Sequence, residues 1–288
     1  MNRNLHVAAL VLGAAVGAAP LAAQLDPTEE AIAGYVRSHV EEGIDLLARQ
    51  ARIGSGSQNL EGVRRVAELL APELEALGFA VRWIPQEHLG RAGHLVAERT
   101  GAVGRSVLLI GHLDTVDEGE GWFERDGMTG RGPGVNDMKG GNAVILLALR
   151  ALDEAGALEG RTIRVIFTGD EESTGKPVSE ARAAMTELAR QSDVALEFET
   201  SISRDGQDYG TVARRGSSTW LLEVEGRTAH SSGIFSEGTG SGAVFEAARI
   251  LAAFHEELRG ERYLTFNPAV MVGGTDVEYD PARVAGSA

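Results

Sequence analysis

VLLIGHLDTV, residues 107–116, runs four aliphatic side chains into a glycine and then into a histidine and an aspartate two positions apart. An unbroken apolar run of this kind suits a strand buried on both faces, as in a parallel sheet covered by helices. In open parallel sheets ligands bind beyond the carboxyl ends of the strands, so position alone makes His112 and Asp114 candidates. A lone histidine there is more often a satisfied core residue. The i, i+2 spacing alters that balance, because in extended chain both side chains fall on one side and a carboxylate can hold an imidazole that ligates metal.

Working outward, residues 27–53 (PTEEAIAGYVRSHVEEGIDLLARQARI) and 60–79 (LEGVRRVAELLAPELEALGF) carry apolar residues at helical spacing and predict two amphipathic helices. AVRWIP (80–85) and HLVAERT (94–100) read as strands. After the opening stretch come a glycine-rich loop, a helix over about 140–155, the strand RTIRVIFTG (161–169), a helix near 179–190 and the strand VALEF (194–198). Strands alternating with helices predict an α/β fold, with a mostly parallel sheet and helices on both faces. Near Thr211 the rhythm changes. STWLLEVEG (218–226) alternates like a half-exposed strand, a helix follows over about 240–258, and YLTFNPAVMVGG (263–274) is again strand-like, which predicts a smaller second domain with a solvated face. The expected organisation is a leader over 1–23, a first domain over 24–211 and a second over 212–288.

With 288 residues, 43% of them hydrophobic, the chain has the material for one large or two ordinary folded domains. Its 42 acidic against 27 basic residues give a formal charge of -15, which disfavours nucleic acid and anionic lipid as partners. The start, MNRNLHVAALVLGAAVGAAPLAAQ, resembles a secretory signal peptide with cleavage after Ala23, and predicts an exported protein, periplasmic or secreted. Its apolar run falls short of the roughly 20 residues that span a bilayer, and no membrane span is expected in the mature chain. The absence of cysteine removes disulfides and thiol catalysis.

Three further clusters carry chemistry. GRGPGVNDMKGG (130–141) sets Asp137 between a glycine-rich loop and a helix start; the order of its residues does not suit a phosphate loop, and Asp137 would repel a phosphate. FTGDEES (167–173) places Asp170, Glu171 and Glu172 at a strand end, where three adjacent carboxylates are costly unless cations or protons neutralise them. EFETS (197–201) adds Glu197 and Glu199. Successive strand or loop ends thus supply one histidine and several carboxylates, the ligand set of a zinc or manganese site, with enough carboxylates for one to bridge two ions.

GHLDTV, GPGVNDMKGG, GDEES, EFETS and the later GRTAHSSG, in that order, resemble the dizinc peptidases and amidohydrolases of metallopeptidase family M20, from about Glu29 to the end. That family includes glutamate carboxypeptidases, aminoacylases and succinyl-diaminopimelate desuccinylases. The resemblance implies a zinc-peptidase-like catalytic domain with an inserted ferredoxin-like lid that forms a homodimer. It implies two zinc ions, or manganese or cobalt, with His112, Asp137 and Glu199 on one ion and Asp137 bridging to a second that Glu172 also holds. Asp114 becomes the partner that fixes the His112 ring, Glu171 the general base, and Asp137-Met138 a cis peptide. His230 becomes the lid histidine that reaches a partner's active site and helps stabilise the oxyanion, and Asn267 a contact to the substrate carboxylate.

His39, His88, His94 and His255 match no motif and read as structural or surface residues. The family pattern needs a further histidine for the second metal, from a segment beyond DPARVAGSA, so the chain reads as truncated, and poorly soluble and inactive on its own. The expected reaction is hydrolysis of a peptide or N-acyl amide bond beside a free carboxylate. Aminopeptidase or dipeptidase activity is the alternative within the family, and an inactive metal-binding or dimerisation module the alternative outside it. No GxSxG elbow supports a serine hydrolase.

Overall fold

The structure is a computed structural model that describes residues 25–200, 202–280 and 285–287; the leader predicted over 1–23 lies outside the described residues. Two compact units are present, the first ending at Tyr209 and the second beginning at Gly210. In the first, helix α1 (Pro27–Ala51) opens on a reciprocal cap: Asp26 accepts from the amides of Thr28 and Glu29, and the Glu29 carboxylate accepts from the amide of Asp26. Helix α2 (Leu60–Ala76) is capped by Asn59, whose side chain accepts from the amide of Gly62.

A five-stranded sheet follows, built from β1 (Ala80–Pro85), β2 (Gly93–Arg99), β3 (Val103–His112), β6 (Arg161–Thr168) and β7 (Val194–Glu197) in the order β1-β2-β6-β3-β7. Between β3 and β6 lie the small hairpin β4 (Glu124–Asp126) and β5 (Thr129–Arg131) and helix α3 (Gly140–Glu154). Helices α4 (Val178–Ala181) and α5 (Ala183–Arg190) connect β6 to β7, in place of the single helix expected near 179–190, and the hairpin β8 (Ile202–Arg204) and β9 (Gln207–Tyr209) closes the unit.

The sheet is mixed rather than mostly parallel. β3 pairs in parallel with both β6 and β7, whereas β1 with β2 and β2 with β6 pair antiparallel. The cause at β1 is local: only residues 86–92 join it to β2, with one short 3-10 turn, too little chain for the crossover that a parallel pair needs. What matters for function is the parallel part, because His112 lies beside Thr168 and Ile110 beside Glu197, so β3, β6 and β7 all end at one edge.

Helices cover both faces. On one, Leu70 and Leu74 of α2 and Ile145 and Leu149 of α3 pack with Leu95, Val165 and Phe167 of the sheet. On the other, Leu188 of α5 closes over Val96, Leu108 and Ile166. Each such side chain withdrawn from water contributes about 1.5–3 kcal/mol before chain entropy is set against it.

The second unit contains helix α6 (Ala243–Leu258) and the short hairpin β10 (Glu278–Asp280) and β11 (Ala285–Ser287). The strands expected over 218–226 and 263–274 are not formed. A strand exists only when its backbone groups find a partner ladder, and among the described residues of this unit the only ladder is the β10–β11 hairpin.

Candidate metal centre

His112 is the last residue of β3 and is 1% exposed. It can sit so deep because the neighbouring backbone is satisfied: Asn142 of α3 donates to the His112 carbonyl at 2.6 Å. Residue 111 must be glycine for this, since a Cβ there would come within 2.4 Å of Asn142 Oδ1. The ring presents Nδ1 to the Asp114 backbone carbonyl at 2.9 Å, and the Asp114 carboxylate stands 3.5 Å from the same nitrogen. With Nδ1–H donating to an acceptor, Nε2 is free to bind an electrophile.

Nε2 faces two carboxylates, Asp137 Oδ1 at 3.0 Å and Glu199 Oε1 at 3.0 Å. Asp137 comes from a tight turn (Val135–Lys139) ahead of α3, and its peptide bond to Met138 is cis. Glu199 follows the end of β7, and Glu171 and Glu172 follow the end of β6. Ligand atoms of His112, Asp137 and Glu172 lie within 4.8 Å of one another, and so do those of His112, Glu171 and Glu199.

Asp114 has a second role that its place in the sequence does not disclose. Its carboxylate is fully buried and accepts from the Ser57 hydroxyl at 2.7 Å, from the Glu171 amide at 3.0 Å and from the Glu172 amide at 3.1 Å. It therefore aims the imidazole with its carbonyl and fixes the backbone of two further acidic residues with its side chain. Burial favours its neutral form, but the His112 ring, Ser57 and the Glu171 amide outweigh that and hold its carboxyl below the usual range.

Burial likewise opposes charge on the His112 ring, yet the Asp114 and Glu199 carboxylates win and push it up to about 11. Glu199 is lowered by its hydrogen bond to that ring. Glu171 and Glu172 move the other way, because burial raises both, with Glu199 adding to the rise at Glu171 and Asp137 to the rise at Glu172. The carboxylates thus separate into Asp114 and Glu199, held charged by the His112 ring, and Glu171 and Glu172, whose affinity for a proton is raised.

A divalent cation fits this donor set. One imidazole nitrogen and several carboxylate oxygens converge, which is the ligand chemistry of zinc or manganese. Glu172 Oε1 is buried and has no hydrogen-bond partner among the described residues, and such an orphaned acceptor is costly unless a cation satisfies it.

The structure thus gathers His112, Asp114, Asp137, Glu171, Glu172 and Glu199 in the first unit. His230 and Asn267 belong to the second. There His230 is exposed and caps a short turn, its Nδ1 accepting from the Ser232 amide at 3.2 Å, and Asn267 is exposed. Asp170, grouped with its two neighbours in the sequence, is not part of the cluster. It is fully buried and held by Arg182 and the Gly175 amide. Sequence reasoning missed Ser57, because nothing in the connection between α1 and α2 signals contact with a residue 57 positions away. It also missed Lys139, which lies buried with its ammonium donating to the Ile53 carbonyl, burial drawing its pKa down to about 8.

Residues 108–284 match the family model described as Peptidase family M20/M25/M40. Carboxypeptidase G2 of Pseudomonas sp. (strain RS-16) is 29% identical over 243 residues, covering 83% of this chain and 57% of the relative. The succinyl-diaminopimelate desuccinylase of Methylobacterium radiotolerans is 36% identical over 182 residues, 58% of this chain and 45% of that protein. The chain therefore spans about half the length of these curated relatives. Among solved structures, the dipeptidase Dug1p of Saccharomyces cerevisiae aligns with a TM-score of 0.50 at 16% identity, over 58% of this chain and 40% of that one, a likeness of fold. With the family model covering well over half of its residues, the chain belongs to peptidase family M20/M25/M40.

Proposed function

We propose that the protein is a metal-dependent hydrolase of a peptide or N-acyl amide bond beside a free carboxylate, of carboxypeptidase or N-acyl-amino-acid deacylase type. The observation that carries this reading is the convergence of His112 Nε2 on Asp137 and Glu199 at 3.0 Å each, with Glu171 in the same cluster. Two relatives, named as a carboxypeptidase and a desuccinylase, favour the same bond type.

His112, Asp137 and Glu199 would hold one ion, and Asp137 with Glu172 a second; zinc is the proposed metal, with manganese or cobalt as substitutes. When bound, such ions polarise the scissile carbonyl and acidify a water molecule. The remaining steps belong to the protein. Asp114 keeps the imidazole and the two glutamates in register, and Glu171 takes the proton of the attacking water and returns it to the leaving amine. The raised proton affinity of Glu171 suits that exchange. In the second unit, His230 is proposed to stabilise the developing oxyanion and Asn267 to touch the substrate carboxylate. The proposal includes residues 24–211 as the catalytic part and 212–288 as a lid through which the protein forms homodimers. It also includes export, with the leader removed after Ala23.

Glu171→Gln tests the assignment. The variant is expected to bind zinc as the parent does and to lose hydrolysis of a panel of N-acyl amino acids and dipeptides by at least about a hundredfold, the lower range for a general base. Equal turnover in parent and variant overturns the role of Glu171. Zinc binding with no turnover by the parent on any member of the panel favours the inactive metal-binding module instead.

A further inference from the structure

The loop after β6 carries Glu171 and Glu172, so whatever fixes its two ends fixes them. One end of the segment is Gly169 and the other, past the short helix α4, is Ala181. Both reach the same side chain, His94 of β2, which is fully buried. His94 Nδ1 accepts from the Gly169 amide at 3.3 Å, and Nε2 stands 2.9 Å from the Ala181 carbonyl. An amide can only donate and a carbonyl can only accept, so the partners dictate a neutral ring with its proton on Nε2.

The two ends are not equally dependent on this ring. The Ala181 carbonyl also accepts from Gln86 Nε2 at 2.9 Å, so that end has a second tether. At the other end residue 169 lies flat against β2, where a Cβ would stand 2.3 Å from the Gly93 carbonyl oxygen. The absence of a side chain at residue 169 lets its backbone lie close to β2, where its amide meets the imidazole. Two and three residues further on, the Glu171 and Glu172 amides meet the Asp114 carboxylate.

We propose that His94 is a positioning residue for Glu171 and Glu172, and that it acts chiefly through Nδ1 and the Gly169 amide. The proposal rests on the reading of those two glutamates as base and metal ligand, and it supplies the alignment that reading needs. A 1 Å drift of the loop would misplace the base and the ligand together.

Half-mimics of the ring provide the test. His94→Asn places an amide oxygen near the position of Nδ1, and His94→Gln places an amide nitrogen near that of Nε2. Amide hydrogen exchange is measured on the metal-free protein and followed at Glu171 and Glu172, with zinc affinity measured in parallel. In the Asn variant both readings are expected to stay within about twofold of the parent. In the Gln variant exchange is expected to quicken, and zinc affinity to fall, by about tenfold, the effect of one buried hydrogen bond. Equal behaviour of the Asn and Gln variants, or no change at Glu171 and Glu172 in either, overturns the proposal even if both melt early, since a purely structural histidine would lower stability without that asymmetry. If the parent binds no zinc while exchange follows the expected order, the metal reading fails and the positioning role stands.

Discussion

Helix α3 in the first unit and helix α6 in the second are both rich in aliphatic residues and nearly equal in length, yet their fates differ. Asn142, Ala143, Ile145, Leu146, Leu149 and Ala151 of α3 are buried, and no residue of α6 is. In the first unit the apolar stripe meets a sheet and other helices; in the second, Val244 and Phe245 are mostly exposed, and ring contacts such as Trp220 with Phe254 and Phe235 with Phe245 stand in for a core. Amphipathic sequence is a capacity for burial, and the packed surface opposite decides whether it is used.

The largest test of this contrast is a matched pair of truncations. Leu146 is fully buried, and Leu146→Ala should cost about 2–5 kcal/mol through lost transfer energy and the cavity left behind. Leu221 is 62% exposed, and Leu221→Ala should stay within about 0.5 kcal/mol. Urea midpoints of the two variants against the parent measure both. Similar costs would break the comparison by showing that Leu221 is covered in solution.

The next test uses the metal. If the ligands lie in the first unit alone, free zinc at a hundred times its dissociation constant should stabilise that unit by about 2.7 kcal/mol. His112→Ala should abolish the gain, whereas His230→Ala, in the second unit, should keep all of it. Thermal melts with zinc and with chelator report the difference, and loss of the gain in the His230 variant would place a ligand where none is assigned.

The same contrast explains what could be read from the sequence. AVRWIP became β1 residue for residue, and RTIRVIFTG became β6 apart from its last glycine, because short runs rich in β-branched and aromatic residues carry a strand signal at the sheet edge as well as inside it. The candidate site was legible for a related reason: His112, Asp137, Glu171, Glu172 and Glu199 are ionisable residues set at the ends of such runs or at a helix start, where a charge beside an apolar run is conspicuous. Pairing direction was legible only in part: the short connection between AVRWIP and HLVAERT already rules out a crossover, whereas nothing local in HLVAERT or RTIRVIFTG reports that β2 and β6 pair antiparallel. STWLLEVEG has the alternation of a strand and forms none, because alternation describes one partner of a ladder and is silent about the other. Ser57, Arg182 and His94 act across the fold on Asp114, Asp170 and Gly169, and contacts of that range leave no local pattern.

Helix ends give the smallest test. α1 begins with a reciprocal cap on Asp26, whereas α6 begins at Gly242, which has a φ of +82° and no side chain to cap with. Asp26→Ala removes the acceptor for two amides, those of Thr28 and Glu29, and should cost about 1 kcal/mol, read as a fall in the urea midpoint with an unchanged slope. The equivalent repair at α6 should fail. A side chain at residue 242 would gain a hydrogen bond of similar size but would have to adopt a left-handed backbone, which costs roughly 1–2 kcal/mol for any residue but glycine. Gly242→Ser is therefore expected to leave the helicity of the second unit unchanged or lower, by circular dichroism. A rise would mean that the backbone at Gly242 relaxes, and that α6 is short of a cap more than it is short of a packed surface.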